Sequence, residues 1–108
     1  GQTQAARITA TITQIGTIKG SLAAFEIDNG YFPRGRDGLQ ELVTQKADAI
    51  GWKGPYLEEI PLDQWGHAFI YECPGRVRTT GYDIVSMGPD GQLGTEEDIT
   101  NGPAAKKH

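Results

Sequence analysis

The stretch from Thr3 to about Asp28 contains no proline, and its apolar residues fall on one helical face. Ile8, Ile12, Ile15, Leu22 and Phe25 succeed one another at steps of four, three, seven and three, with Ile18 widening the stripe. Thr9, Thr13, Gln14, Thr17, Lys19 and Ser21 fill the opposite side. The spacing predicts a helix of roughly 25 residues, about 38 Å long at 1.5 Å per residue. Asn29-Gly30 should stop it, because both residues tolerate the left-handed cap conformation. Pro33 then holds Phe32 extended. Such a rod is longer than a domain of 108 residues requires. It is also rich in threonine, with Gly16 and Gly20 inside it, so its intrinsic helix propensity is weak. Its first turns are therefore expected to be supported from outside the domain, by upstream sequence or a neighbouring subunit. Gly1-Gln2 reads as an artificial start.

The remainder of the chain is expected to fold with the helix as a single small domain with little regular structure. Fifteen glycines and six prolines exclude a helical bundle and imply many loops. Region 31–65 should hold a short helix at Asp37–Gln45, with Asp37 as its N-cap. A long loop then carries Trp52, Tyr56, Leu57, Ile60, Leu62 and Trp65, which should pin it to the core. Region 66–102 reads as β-rich, with strands at His67–Cys73 and Tyr82–Met87 joined through Pro74-Gly75 and the polar residues 76–80. Residues 103–108 read as a tail. The resulting class is α+β: a long N-terminal helix whose C-terminal half, through Leu22 and Phe25, packs on a small antiparallel sheet.

Ten basic against fourteen acidic residues give a net charge of −4, which argues against a nucleic-acid-binding face. No run of about 18 apolar residues is available to span a membrane, and no signal peptide is visible. One cysteine can form neither an internal disulfide nor a multi-cysteine zinc site. A thiol–imidazole pair of Cys73 with His67 is excluded on a single strand, where six residues separate them by about 20 Å; Cys73 is better read as a small buried hydrophobe. Arg34, Arg36, Arg76 and Arg78 are too dispersed for a phosphate site and could pair with acids of a neighbouring subunit. Asp63 should cap a turn near Trp65, and no catalytic constellation emerges.

The chemically suggestive segment is Ser86 to Ile99, where Asp90, Glu96, Glu97 and Asp98 are interspersed with Gly88, Gly91 and Gly94. Calcium accepts six to eight oxygens, carbonyls included, in flexible geometry, and would relieve the repulsion of acids brought together by the turns. The spacing is not that of an EF-hand, because Asp90-Gly91 is followed by Gln92-Leu93. Magnesium suits an all-protein cage poorly, and a transition metal lacks soft donors, with His67, His108 and Cys73 scattered. On residues alone a solvated acidic turn stands ahead of a calcium loop.

Several pieces in order carry a family resemblance. They are Asp28-Asn29-Gly30-Tyr31-Phe32-Pro33, Gly38-Leu39-Gln40-Glu41-Leu42-Val43, Gly54-Pro55-Tyr56-Leu57, Ile60-Pro61-Leu62-Asp63, Trp65-Gly66, Tyr82-Asp83-Ile84-Val85-Ser86-Met87-Gly88 and Asp90-Gly91. With the amphipathic helix, they make nearly the whole chain resemble the soluble part of a type II secretion major pseudopilin, of the general secretion pathway protein G family. The resemblance implies a type IV pilin-like fold and a structural, non-enzymatic subunit of the pseudopilus. That filament helps drive folded proteins across the outer membrane.

The resemblance further implies a hydrophobic N-terminal segment, cut and N-methylated in the family. It implies anchoring in the inner membrane of a Gram-negative bacterium, with the domain in the periplasm. The implied partners are further copies of the chain, minor pseudopilins and inner-membrane secretion components. One calcium ion is implied as well, held by the side chains of Asp90, Glu97 and Asp98 and the backbone oxygens of Met87 and Thr95, with Ser86 beginning the turn.

Three positions depart from the family pattern. Glu97 stands where an aspartate is frequent, with Glu96 as its neighbouring alternative; Gln64 stands where proline is common; Gly102 comes after Asn101 where a tryptophan is usual. The alternatives are a type IV pilin for adhesion, motility or DNA uptake, whose usual C-terminal disulfide loop one cysteine cannot make, and, from other classes, a free calcium-binding module or a small hydrolase. On the pseudopilin reading, Ile8 and Ile12 face other subunits.

Overall fold

The structure, a computed structural model, describes residues 3–102. The start at Gly1-Gln2 and the tail at 103–108 lie outside the described residues. Helix α1 spans Gln4–Asn29. Thr3 caps its start by accepting the Ala6 N–H on Oγ1 at 3.1 Å. Gly30 ends it at φ 85°, its N–H donating to the Glu26 carbonyl, as the Asn-Gly signal predicts. Ile15, Ile18, Leu22 and Phe25 are buried in the core with Leu39, Leu42, Phe69, Tyr71 and Ile84. Ile8 and Ile12 stay outside it, at 36% and 55% exposure. The stripe therefore divides as expected, with its later half packed and its first turns uncovered.

The face opposite the stripe is less free than the pattern implies. Gln14 donates to the Leu62 carbonyl at 2.7 Å, Ser21 to the Tyr56 carbonyl at 2.9 Å, and Lys19 to the Asn101 carbonyl at 3.3 Å. Thr11, absent from the predicted core, is fully buried. Its hydroxyl accepts the Gln64 N–H at 3.4 Å, a bond that proline at position 64 could not donate.

The short helix at Asp37–Gln45 shrinks to a 3-10 turn at Gly38–Leu42, and the Asp37 side chain makes no capping hydrogen bond. Gly38 explains part of this. A Cβ there would lie 2.6 Å from the Tyr71 ring, so the backbone is pressed against the sheet. The loop beyond it is anchored by Trp52 and Tyr56, which meet edge to face at 5.5 Å. Trp52 Nε1 donates to the Glu41 carbonyl, and the Tyr56 hydroxyl to Asp28. Leu62 and Trp65 depart from the expected anchoring, both lying outside the core cluster: Leu62 is 56% exposed, and Trp65 is half-buried with Nε1 on the Gln4 side-chain oxygen.

Three strands form an antiparallel sheet in the order β1-β2-β3: β1 at Ile70–Glu72, β2 at Asp83–Ser86 and β3 at Ile99–Thr100. Both predicted strands are thus shorter than the pattern implies, and β3 adds to them a strand that no pattern announces. The alternation from His67 outlasts the pairing, which before Ile70 is reduced to a single bridge between Leu62 and Ala68. Tyr71 pairs with Ile84 and both point into the core, while Ile70 and Val85 pair on the other face. Asn101 extends the β2–β3 contact with its side chain, accepting the Ile84 N–H and donating to the Tyr82 carbonyl. No helix among the described residues is long and apolar enough to cross a membrane.

Candidate functional site

Between β2 and β3 the chain makes the acidic loop. Gly88, Gly91 and Gly94 all adopt positive φ there (72°, 65° and 87°), which lets this segment fold back on itself. Its two limbs touch at Gly88, where a Cβ would collide with the Glu97 carbonyl oxygen. The tip lies against His67, since a Cβ on Gly91 would sit 3.0 Å from its ring.

The predicted ligand residues all lie on this loop, on short local bonds. Asp90 is exposed and accepts the Gln92 N–H on Oδ1 at 3.1 Å. Glu97 is exposed, its N–H donating to Thr95 Oγ1. Asp98 is half-buried and accepts the Gly94 N–H on Oδ2 at 2.7 Å, while its Oδ1 is buried without any hydrogen-bond partner. The Thr95 carbonyl takes the Asp98 N–H, and Met87 directly precedes the neck at Gly88.

Among the described residues no three His, Cys, Asp or Glu side chains converge as a metal-holding group. The loop brings the three acids into one segment but not into one cluster. Like charges separate without a counter-charge between them, and local N–H donors occupy one oxygen each of Asp90 and Asp98. The donor set itself is hard and all-oxygen, the kind calcium takes. The unpartnered Asp98 Oδ1 is the observation that fits a cation, because a buried carboxylate oxygen with no donor is costly.

The other candidate groups sort differently. Cys73 Sγ lies on the Gly81 carbonyl, half-buried, and His67 faces Gly91, so each has its own separate contact. Arg76 pairs with Glu72 at 3.4 Å and Arg78 with Asp83 at 3.3 Å, which engages both within the chain. Arg34 and Arg36 are exposed.

Two buried carboxylates do more than the sequence pattern discloses. Asp83 accepts N–H bonds from Arg76, Val77 and Arg78 in addition to the Arg78 guanidinium. Burial pushes its pKa up, but these donors outweigh that and hold the carboxyl below its ordinary value. Asp63 accepts from the Trp65 and His67 N–H groups on Oδ1 and from the Ser86 hydroxyl on Oδ2. The expected turn cap at Asp63 is therefore present, with the unforeseen addition of Ser86.

Comparison with known proteins gives the same outline. Residues 1–102 match the family described as type II secretion system (T2SS), protein G. The type II secretion system core protein G of Escherichia coli K12 is 35% identical over 100 residues, covering 89% of this chain and 68% of that protein. The protein of the same name from Xanthomonas campestris pv. campestris is 39% identical over 83 residues, 76% of this chain and 54% of that protein. The crystal structure of the major pseudopilin from the type 2 secretion system of enterohaemorrhagic Escherichia coli aligns with a TM-score of 0.76 and 28% identity, covering 89% of this chain and 86% of that one.

Proposed function

Since the chain belongs to the type II secretion system protein G family, we propose that it is the structural subunit of a pseudopilus that helps move folded proteins across the outer membrane. It assembles with further copies of itself, minor pseudopilins and inner-membrane secretion components, and performs no catalysis of its own. The full-length product is anchored in the inner membrane, with this domain in the periplasm. The observation that carries the reading is the division of α1. Of its residues before Ile15, only Thr11 is buried, so Ile8 and Ile12 present an apolar stripe that the domain does not cover.

Calcium belongs to the same reading. The carboxylates of Asp90, Glu97 and Asp98 and the carbonyl oxygens of Met87 and Thr95 would hold it, with Glu96 the alternative to Glu97. The unpartnered Asp98 Oδ1 and the all-oxygen donor set support this choice. A bound divalent ion would offset the repulsion between the acids and brace the loop against the sheet.

The assembly reading is tested by replacing Ile8 and Ile12 with Asp in the full-length gene, in a strain lacking its own major pseudopilin. Both side chains are exposed, so the purified domain should keep its melting temperature while pseudopili vanish from electron micrographs and secretion stops. Filaments of normal number in the double variant would overturn the proposed role of the stripe.

A further inference from the structure

The acidic loop is not held by its own residues alone. Ser86, the last residue of β2, is fully buried, and its hydroxyl donates to Asp63 Oδ2 at 2.6 Å while accepting the Gly88 N–H at 3.2 Å. Gly88 is the neck of the loop, backed against the Glu97 carbonyl with no room for a Cβ. Fixing Gly88 therefore fixes its neighbour Met87 on one limb and Glu97, with Asp98 beside it, on the other. The other oxygen of Asp63 accepts the His67 N–H at 2.9 Å, and the His67 ring is the surface on which Gly91 rests. One carboxylate, 5% exposed, thus braces the loop at both neck and tip.

The brace is itself anchored to α1. On either side of Asp63, the Leu62 carbonyl accepts from Gln14 at 2.7 Å and the Gln64 N–H donates to Thr11 at 3.4 Å. A buried carboxylate that satisfies three donors is a rigid mount, because losing any partner strands a desolvated group.

We propose that Asp63 and Ser86 are positioning residues for the divalent-cation loop. This buried carboxylate–hydroxyl pair presets the neck before the ion arrives and sets the loop's calcium affinity without touching the ion. The proposal rests on the calcium reading above. Groups behind the ligands of a metal site tune affinity because they hold the ligands where the ion needs them, and their removal weakens binding about 10–100-fold. Here the pair would also tie loop order to α1, through Thr11 and Gln14.

The test is calorimetric titration of the chelator-treated chain with calcium chloride, alongside amide hydrogen exchange at Gly88 in calcium-free buffer. Ser86→Ala deletes both bonds of the hydroxyl with little change of volume, so it should fold even where Asp63→Asn does not. It is expected to raise the calcium Kd about tenfold and to speed Gly88 exchange. Trp52→Phe removes the remote bond to the Glu41 carbonyl. It should lower stability and move neither readout, which separates positioning from general destabilisation. A Ser86→Ala protein that binds calcium within about twofold of the unsubstituted chain, the scale of uncoupled sites, would overturn the pair's role while leaving the calcium reading intact. An unsubstituted chain that takes up no calcium at millimolar concentration would overturn both.

Discussion

Asp83 offers the sharpest test of how this small domain holds its loops. The side chain begins β2 and reaches back over the connection from β1. Oδ2 accepts the N–H groups of Arg76 at 2.8 Å and Val77 at 3.0 Å; Oδ1 accepts the Arg78 N–H at 3.1 Å and its guanidinium at 3.3 Å. Asp83→Asn keeps one acceptor oxygen and puts an NH₂ group where the other was. With the oxygen left to Arg78, the N–H groups of Arg76 and Val77 face a donor. Hydrogen bonds to a charged group contribute about 1.5–3 kcal/mol each. Arg76 and Val77 are exposed and can turn partly to water, which offsets about half of the loss and leaves about 2 kcal/mol. For a domain of this size that lowers Tm by about 8–16 °C.

The pH dependence has a definite sign. Because the folded-state pKa of Asp83 is depressed, its contribution is fully present above the unfolded-state value. It is lost as pH falls through the folded-state value. Thermal unfolding followed by circular dichroism should show a wide gap between the unsubstituted chain and Asp83→Asn at pH 7, narrowing as pH drops below the ordinary aspartate range of about 4. A gap under about 1 kcal/mol, the typical effect of any substitution, or one that stays constant into acid, would refute the reasoning.

Glu41 should respond in the opposite sense. Burial raises its pKa more than Lys46, 3.7 Å away and largely exposed, lowers it, so folding strengthens as pH falls through the folded-state value. Glu41→Gln is accordingly expected to be as stable as the unsubstituted chain at pH 7 or more so, by denaturant titration, and to lose that advantage in acid. Calcium removal tests the ion directly: at a concentration a hundredfold above Kd, binding adds about 2.7 kcal/mol. Chelation by EDTA should then lower Tm by about 10–20 °C, and a melting curve indifferent to EDTA and calcium would contradict a structural ion.

The sequence discloses those features that repeat. The stripe from Ile8 to Phe25 recurs over several turns, and Asn29-Gly30 supplies a stop with a steric cause, so α1 is legible nearly to the residue. The acidic loop is legible as a turn-rich segment through its composition, because Gly88, Gly91 and Gly94 supply the positive φ its turns need. Features that occur once are not legible. Thr11 is polar and gives no hydrophobic signal, yet it is fully buried because Gln64 needs an acceptor there. Strand β3 is too short for any alternation, and pairs with β2 only through Val85–Thr100 and Ser86–Ile99.

The same contrast explains how the part of the domain around the sheet is built. Its sheet is too small for backbone pairing to order the chain around it, so single buried polar side chains take over the N–H groups that longer strands would satisfy. Asp63 does this for the turn before β1, Asp83 for the connection to β2, and Asn101, just past β3, for Ile84 of β2. One of these clamps, Asp83, has its carboxyl held below its ordinary value, so the connection it closes responds to pH where an apolar contact would not.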